Sequence, residues 1–204
     1  MSATGDTMVD IVFPVRGDSV ARDHRRALAG AIEACLPWLR DDAGAGVHRL
    51  NVSAGAGPRA LLSGRTCLTL RLARERIADA ARLEGASLDL GDSSLQVGSP
   101  QVRELRPWGT LYAHVVDASA AADEIDFLAA VQADLQRLGV ACRPICGRLQ
   151  LLPGDGLRGY GLMLDGLGAD DARTVLEAGV GAHRRLGCGL FVPHKSAAAV
   201  GAPP

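Results

Sequence analysis

Apolar and polar positions recur along this chain with two different periods. MVDIVFPV (Met8–Val15) is a short apolar run rich in β-branched residues, the pattern of a strand. Beyond GDSVARD the period changes. Leu28, Ile32, Cys35 and Leu39 recur at three- and four-residue spacing, which predicts a helix reaching about Trp38, with Asp18 or Ser19 as its N-cap. GVHRLNV and RTCLTLRL (Arg65–Leu72) predict two more strands separated by the glycine-rich SAGAGPR, and ARERIADAARL predicts a helix. ASLDLGDSSLQVG closes the series as a strand or small hairpin.

The same order restarts after Pro107. GTLYAHVV is strand-like, and ADEIDFLAAVQADLQRLG is a helix capped by Gly139. VACRPICGRLQLL and GLRGYGLMLDGL are strands, ADDARTVLEAG is a helix, and GLFV ends the series. The pattern is βαββαβ twice, an α+β chain of tandem ferredoxin-like (RRM-like) domains with helices on one face of each antiparallel sheet. The predicted boundaries are an N-terminal domain over 1–98, a linker over 99–107 and a C-terminal domain over 108–193. HKSAAAVGAPP (194–204) reads as a disordered tail.

Composition narrows the function classes. Apolar residues make up 48% of the 204 but aromatics only 3%, so the core must rest on Leu, Val, Ile and Ala. A formal net charge of −1 gives no global field selecting nucleic acid or membrane. Lys195 is the only lysine, and all other positive side chains apart from histidine are arginine, a planar donor suited to phosphate wherever it clusters. Met1–Asp10 carries no charged-then-apolar leader pattern, and no apolar run approaches the ~18 residues of a membrane span. Five scattered cysteines without a CxxC pair read as thiols in a reducing compartment, so the expectation is a cytoplasmic protein without a metal or cofactor. P-loop, HExxH and GxSxG motifs are missing.

Three features can carry chemistry. AGVGAHRRLGCGLFVP (Ala178–Pro193) sets Gly179, Gly181, Gly187 and Gly189 around His183, Arg184 and Arg185. Amides in glycine-rich turns can form an anion-binding concavity, and an arginine pair would add charge-assisted bonds. RGYGLML (Arg158–Leu164) resembles the RNA-binding signature of the RRM fold, with Tyr160 as its one base-stacking aromatic. ARDHRRAL sets Arg22, Arg25 and Arg26 around His24 at a helix start, where positive charge opposes the macrodipole and points to an anionic partner.

DIVFPVRG, ARDHRRALAGAI and above all GVGAHRRLGCGLFVP together resemble the CRISPR-associated Cas6 endoribonucleases of the RAMP superfamily, in particular the Myxococcus-type subgroup. The resemblance covers most of Asp10–Pro193. It implies two ferredoxin-like domains and metal-independent cleavage of CRISPR repeat RNA into guides, with the 3′ stem-loop retained. It also implies attack by a ribose 2′-OH, giving a 2′,3′-cyclic phosphate and a 5′-OH. In such proteins the catalytic histidine commonly lies near the start of the first helix, which maps onto His24, with His48 in GVHRLN as the runner-up. On this reading Arg22, Arg25, Arg26, Tyr160, Gly179, Gly181, His183, Arg184, Arg185, Gly187 and Gly189 contact RNA, and other CRISPR effector subunits are possible partners. Two alternatives stay open: a non-cleaving RNA-binding subunit of an effector complex, and a duplicated ferredoxin-like protein binding a small ligand or another chain.

Overall fold

The computed structural model describes residues 7–53, 57–152 and 156–195. The chain divides into two compact units. One runs to Glu104 and takes in Arg185–Gly187; the other runs from Leu105 to Arg184 and resumes at Cys188.

In the first unit β1 (Met8–Arg16), β2 (Ser19–Ala21) and α1 (Arg25–Cys35) are followed by a 3-10 turn at Pro37–Arg40. Then come β3 (Gly46–Val47), β4 (Arg59–Leu61), β5 (Cys67–Ala73), a short α2 (Ile77–Ala80) flanked by 3-10 turns, β6 (Ser87–Asp89), β7 (Ser94–Val97) and β8 (Gln101–Glu104). The sheet order is β3-β5-β1-β7-β6, with β8 also on β1. Val9, Ile11, Phe13 and Val15 alternate along β1 and are buried, as are Leu68, Leu70 and Leu72 on β5. Leu28 and Ile32 of α1 join them in one apolar core.

Three local expectations change here. The helix does not start at Asp18 or Ser19: those residues lead into β2, which pairs with β4, and His24 is the N-cap of α1. GVHRLNV is strand only at Gly46–Val47. Within the stretch read as a linker, Gln101–Glu104 is a strand whose register runs from Val9 opposite Glu104 to Val12 opposite Gln101. Its side chains are all exposed, so no apolar alternation marks it.

The second unit holds β9 (Thr110–Asp117), α3 (Glu124–Leu138), β10 (Arg143–Leu152), β11 (Leu157–Asp165), α4 (Ala169–Ala178) and β12 (Phe191–Pro193), with sheet order β10-β11-β9-β12. All pairings are antiparallel, and the fold is ferredoxin-like in both halves of the chain. The local signals of α3 agree with each other. The Asp123 carboxylate accepts from the Asp126 amide at 3.0 Å, Phe127, Val131 and Leu135 bury one face, and Gly139 ends the helix at φ 70°. Of the predicted tail, His194 and Lys195 are described and residues 196–204 lie outside the described residues.

Candidate functional site

The first turn of α1 turns its histidine inward. His24 is 3% exposed. Its Nε2 accepts the Leu50 amide at 3.2 Å, so the ring proton sits on Nδ1, which donates to the Ala21 carbonyl at 2.9 Å. Burial holds its pKa below the ordinary 6.5, outweighing the bond to Ala21, and Arg25 and Arg49 push the same way. The result is a neutral imidazole spanning two stretches of main chain. A catalytic role at His24 is at odds with this placement, because both nitrogens are already committed.

His48 sits in a different environment. Its amide donates to the Thr69 carbonyl at 2.9 Å, which extends the β3–β5 pairing by one residue. Its Nε2 lies 3.8 Å from Oδ1 of Asp10, and both side chains are about one-sixth exposed. Asp10 is gripped in turn by Arg71, through Nε at 2.8 Å and Nη2 at 3.0 Å. Asp10 and Arg71 are register partners on β1 and β5, and Arg71 is 1% exposed. A buried arginine so paired fixes the carboxylate, and the carboxylate faces the imidazole.

Residues 185–187 complete this side of the first unit. Arg25 donates from Nη1 to the Leu186 carbonyl at 2.8 Å. Arg185 donates to Glu33 of α1, whose other oxygen accepts from Arg40 Nε at 3.2 Å. Gly187 has φ +76°, and a Cβ there would stand 2.8 Å from Arg25 Nη1, 3.1 Å from the Val47 carbonyl and 3.2 Å from the Arg49 amide. The turn therefore presses on the backbone on either side of His48, and only glycine permits that approach. Arg26 is exposed, and Arg22 spends its guanidinium on the carbonyls of Gly57 (2.6 Å) and Ser53 (3.4 Å).

The rest of the glycine-rich segment belongs to the second unit, and there the expected phosphate cradle needs correction. The Gly179 amide donates to Val175, Gly181 to the Asp134 carboxylate at 3.0 Å, and Gly189 to Val115 at 2.8 Å. Arg184 is 8% exposed and donates to the Ala178 carbonyl and, at 3.0 Å, to Glu177, closing the end of α4. It is a helix cap, not an open clamp. A Cβ on Gly179 would meet Arg184 Nη1 at 2.2 Å, and one on Gly189 would meet the Val180 carbonyl at 2.1 Å. These glycines answer to the chain's own close packing. His183, at φ 62°, reaches within 3.5 Å of Asp117. Tyr160 is half-buried, and its ring lies 4.9 Å from that of buried Phe127 on α3.

Sequence reasoning missed Asp10, Arg71 and Glu33. The signal was there for the first two, since VDIVF and TLRLA each set one charge, of opposite sign, inside an apolar strand run. Among the described residues no group of three or more His, Cys, Asp or Glu side chains converges as a metal site, and no helix is long and apolar enough to cross a membrane.

Comparison with known proteins gives this geometry a context. Residues 9–196 match the family model described as Cas6 Crispr. The CRISPR-associated endonuclease Cas6 of Myxococcus xanthus is 36% identical over 195 residues, covering 94% of this chain and 84% of that protein. A solved CRISPR associated protein Cas6 superposes with TM-score 0.67 at 10% identity, over 92% of this chain and all of its own. A RAMP protein described as binding different RNA substrates superposes with TM-score 0.61 at 13% identity, over 90% of this chain and 98% of its own.

Proposed function

This chain belongs to the Cas6 family of CRISPR-associated endonucleases, and from that premise we propose that it cuts CRISPR repeat RNA into guide RNAs without a metal ion. The observation that carries the reading is the 36% identity to a CRISPR-associated endonuclease across 94% of the chain. The ribose 2′-OH attacks the adjacent phosphorus, the 5′-oxygen leaves, and the products carry a 2′,3′-cyclic phosphate and a 5′-OH. The product stem-loop stays bound.

Such a step needs a proton acceptor for the 2′-OH and a donor for the departing oxygen, and an imidazole can serve either at neutral pH. We assign the acceptor's part to His48, and water protonates the departing oxygen. His24 is buried and doubly bonded to the main chain, whereas His48 is partly exposed and stands beside a carboxylate held by Arg71. The Asp10 charge, 3.8 Å from Nε2, stabilises the protonated form of the ring, as carboxylates do beside catalytic imidazoles. Arg26 and Arg49, both exposed, and Arg185, about two-fifths exposed, supply positive charge near the phosphoryl oxygens.

The test is incubation with repeat RNA from the host genome in EDTA. Cleavage that persists, with a fragment ending in a cyclic phosphate, supports the reading. RNA binding without product overturns cleavage and favours a non-cleaving effector subunit. No binding at low salt overturns the RNA reading itself.

A further inference from the structure

The second unit carries a cationic and aromatic cluster that this reading leaves unused. Trp108 is 58% exposed, while the chain's other tryptophan, Trp38, packs at the edge of the core under Arg76. Arg106, Trp108, Pro193, His194 and Lys195 line one shallow cavity. Its wall is held in place: Pro193 is in register with Leu111 on β9, the His194 amide donates to the Thr110 carbonyl at 3.0 Å, and the His194 ring stands 5.4 Å from that of Tyr112. Among the described residues Arg106 and Lys195 make no ion pair, and no carboxylate lines the cavity.

An exposed indole beside a guanidinium and an ammonium offers a π-face and phosphate neutralisation together, which is the recognition chemistry of unpaired nucleotides. A base inside a duplex cannot offer its face to an indole; an unstacked one can. One indole and one proline are too little apolar surface for a lipid bilayer, which interfacial binding requires in quantity. We propose that this cavity holds an unpaired nucleotide of the bound RNA, its base on Trp108 and its phosphate on Arg106 and Lys195. The inference rests on the RNA reading above and adds a grip on a single-stranded flank.

The experiment compares two labelled RNAs, the repeat stem-loop alone and the same stem-loop with its single-stranded flank. Trp108→Ala should weaken the flanked RNA about tenfold, the worth of one stacked base, and leave the bare stem-loop unchanged, with an unaltered melting temperature. Trp108→Phe should retain most of the affinity. Arg106→Gln with Lys195→Gln should lower the salt slope for the flanked RNA by about 1.4, at roughly 0.7 per cation on single strands. Wild-type affinity of Trp108→Ala for both RNAs would overturn the proposal. So would a Trp108-dependent partition into phosphatidylserine vesicles with RNA binding untouched. If the wild-type protein binds neither RNA, the RNA reading fails first and the subsite falls with it.

Discussion

The Leu50 amide donates to Nε2 of His24 at 3.2 Å, across 26 residues of chain. With Ala21 on Nδ1, the ring bridges the approach to α1 and the segment just after His48. One histidine thereby positions the backbone next to another. The sequence had put His24 first and His48 second as candidates, and here the first holds main chain beside the second.

That bridge titrates. His24 has a lower pKa folded than unfolded, because burial disfavours the imidazolium. The unfolded chain therefore takes up the proton first. The contribution of His24 to stability is complete above the unfolded value of 6.5 and is lost as pH falls from there toward the folded one. Chemical denaturation at about pH 7.5 and about pH 5.5 should show wild type losing stability at the lower pH. His24→Asn should be less stable at the higher pH and lose this part of the pH dependence.

His48→Ala should lower the cleavage rate by about 10²-fold or more, the usual worth of a positioned proton transfer, while melting temperature and repeat-RNA affinity stay near wild type. His24→Ala should instead lower the melting point, through about 1–3 kcal/mol for the orphaned buried groups. Equal cleavage by His48→Ala and wild type would rule His48 out as catalyst.

Glu33 is 8% exposed and holds Arg185 and Arg40 on its two oxygens. Glu33→Ala should cost about 1.5 kcal/mol, the low end for a hydrogen bond between charged groups, because the Arg185 it releases is two-fifths exposed. Arg40→Ala should cost less, because that side chain is 65% exposed. Hydrogen exchange at residues 185–187 should rise only in the first variant; protection unchanged there would count against Glu33 as the anchor of that turn.

The glycines should separate by what surrounds them. Gly139→Ala meets open space and only the left-handed backbone strain of φ +70°, about 1 kcal/mol. Gly179→Ala and Gly189→Ala add overlap with main chain, the Gly189 carbonyl at 2.6 Å and the Val180 carbonyl closer still, so each should cost about 3 kcal/mol. Thermal melts that rank all three alike would contradict the packing account.

Much of the architecture was legible before any coordinates. Runs such as MVDIVFPV and the three- and four-residue spacing of Leu28 and Ile32 report burial of one face, and that is a local property of consecutive residues. The strand at Gln101–Glu104 was not legible, because its exposed side chains leave no alternation and only pairing with β1 creates it. The closing GVGAHRRLGCGLFVP was equally plain, and it carried the family resemblance.

What sequence alone determined, then, was the order of the apolar strands and main helices, the twin sheets and the family, because each rests on short-range periodicity or on a contiguous motif. Which histidine is buried against main chain and which stays partly exposed was decided only in three dimensions. So was the parting of two adjacent arginines, Arg184 capping α4 and Arg185 reaching Glu33 across 152 residues. The reason is physical: a side chain's protonation and exposure depend on groups brought next to it by folding, and those lie too far along the chain for spacing to report them.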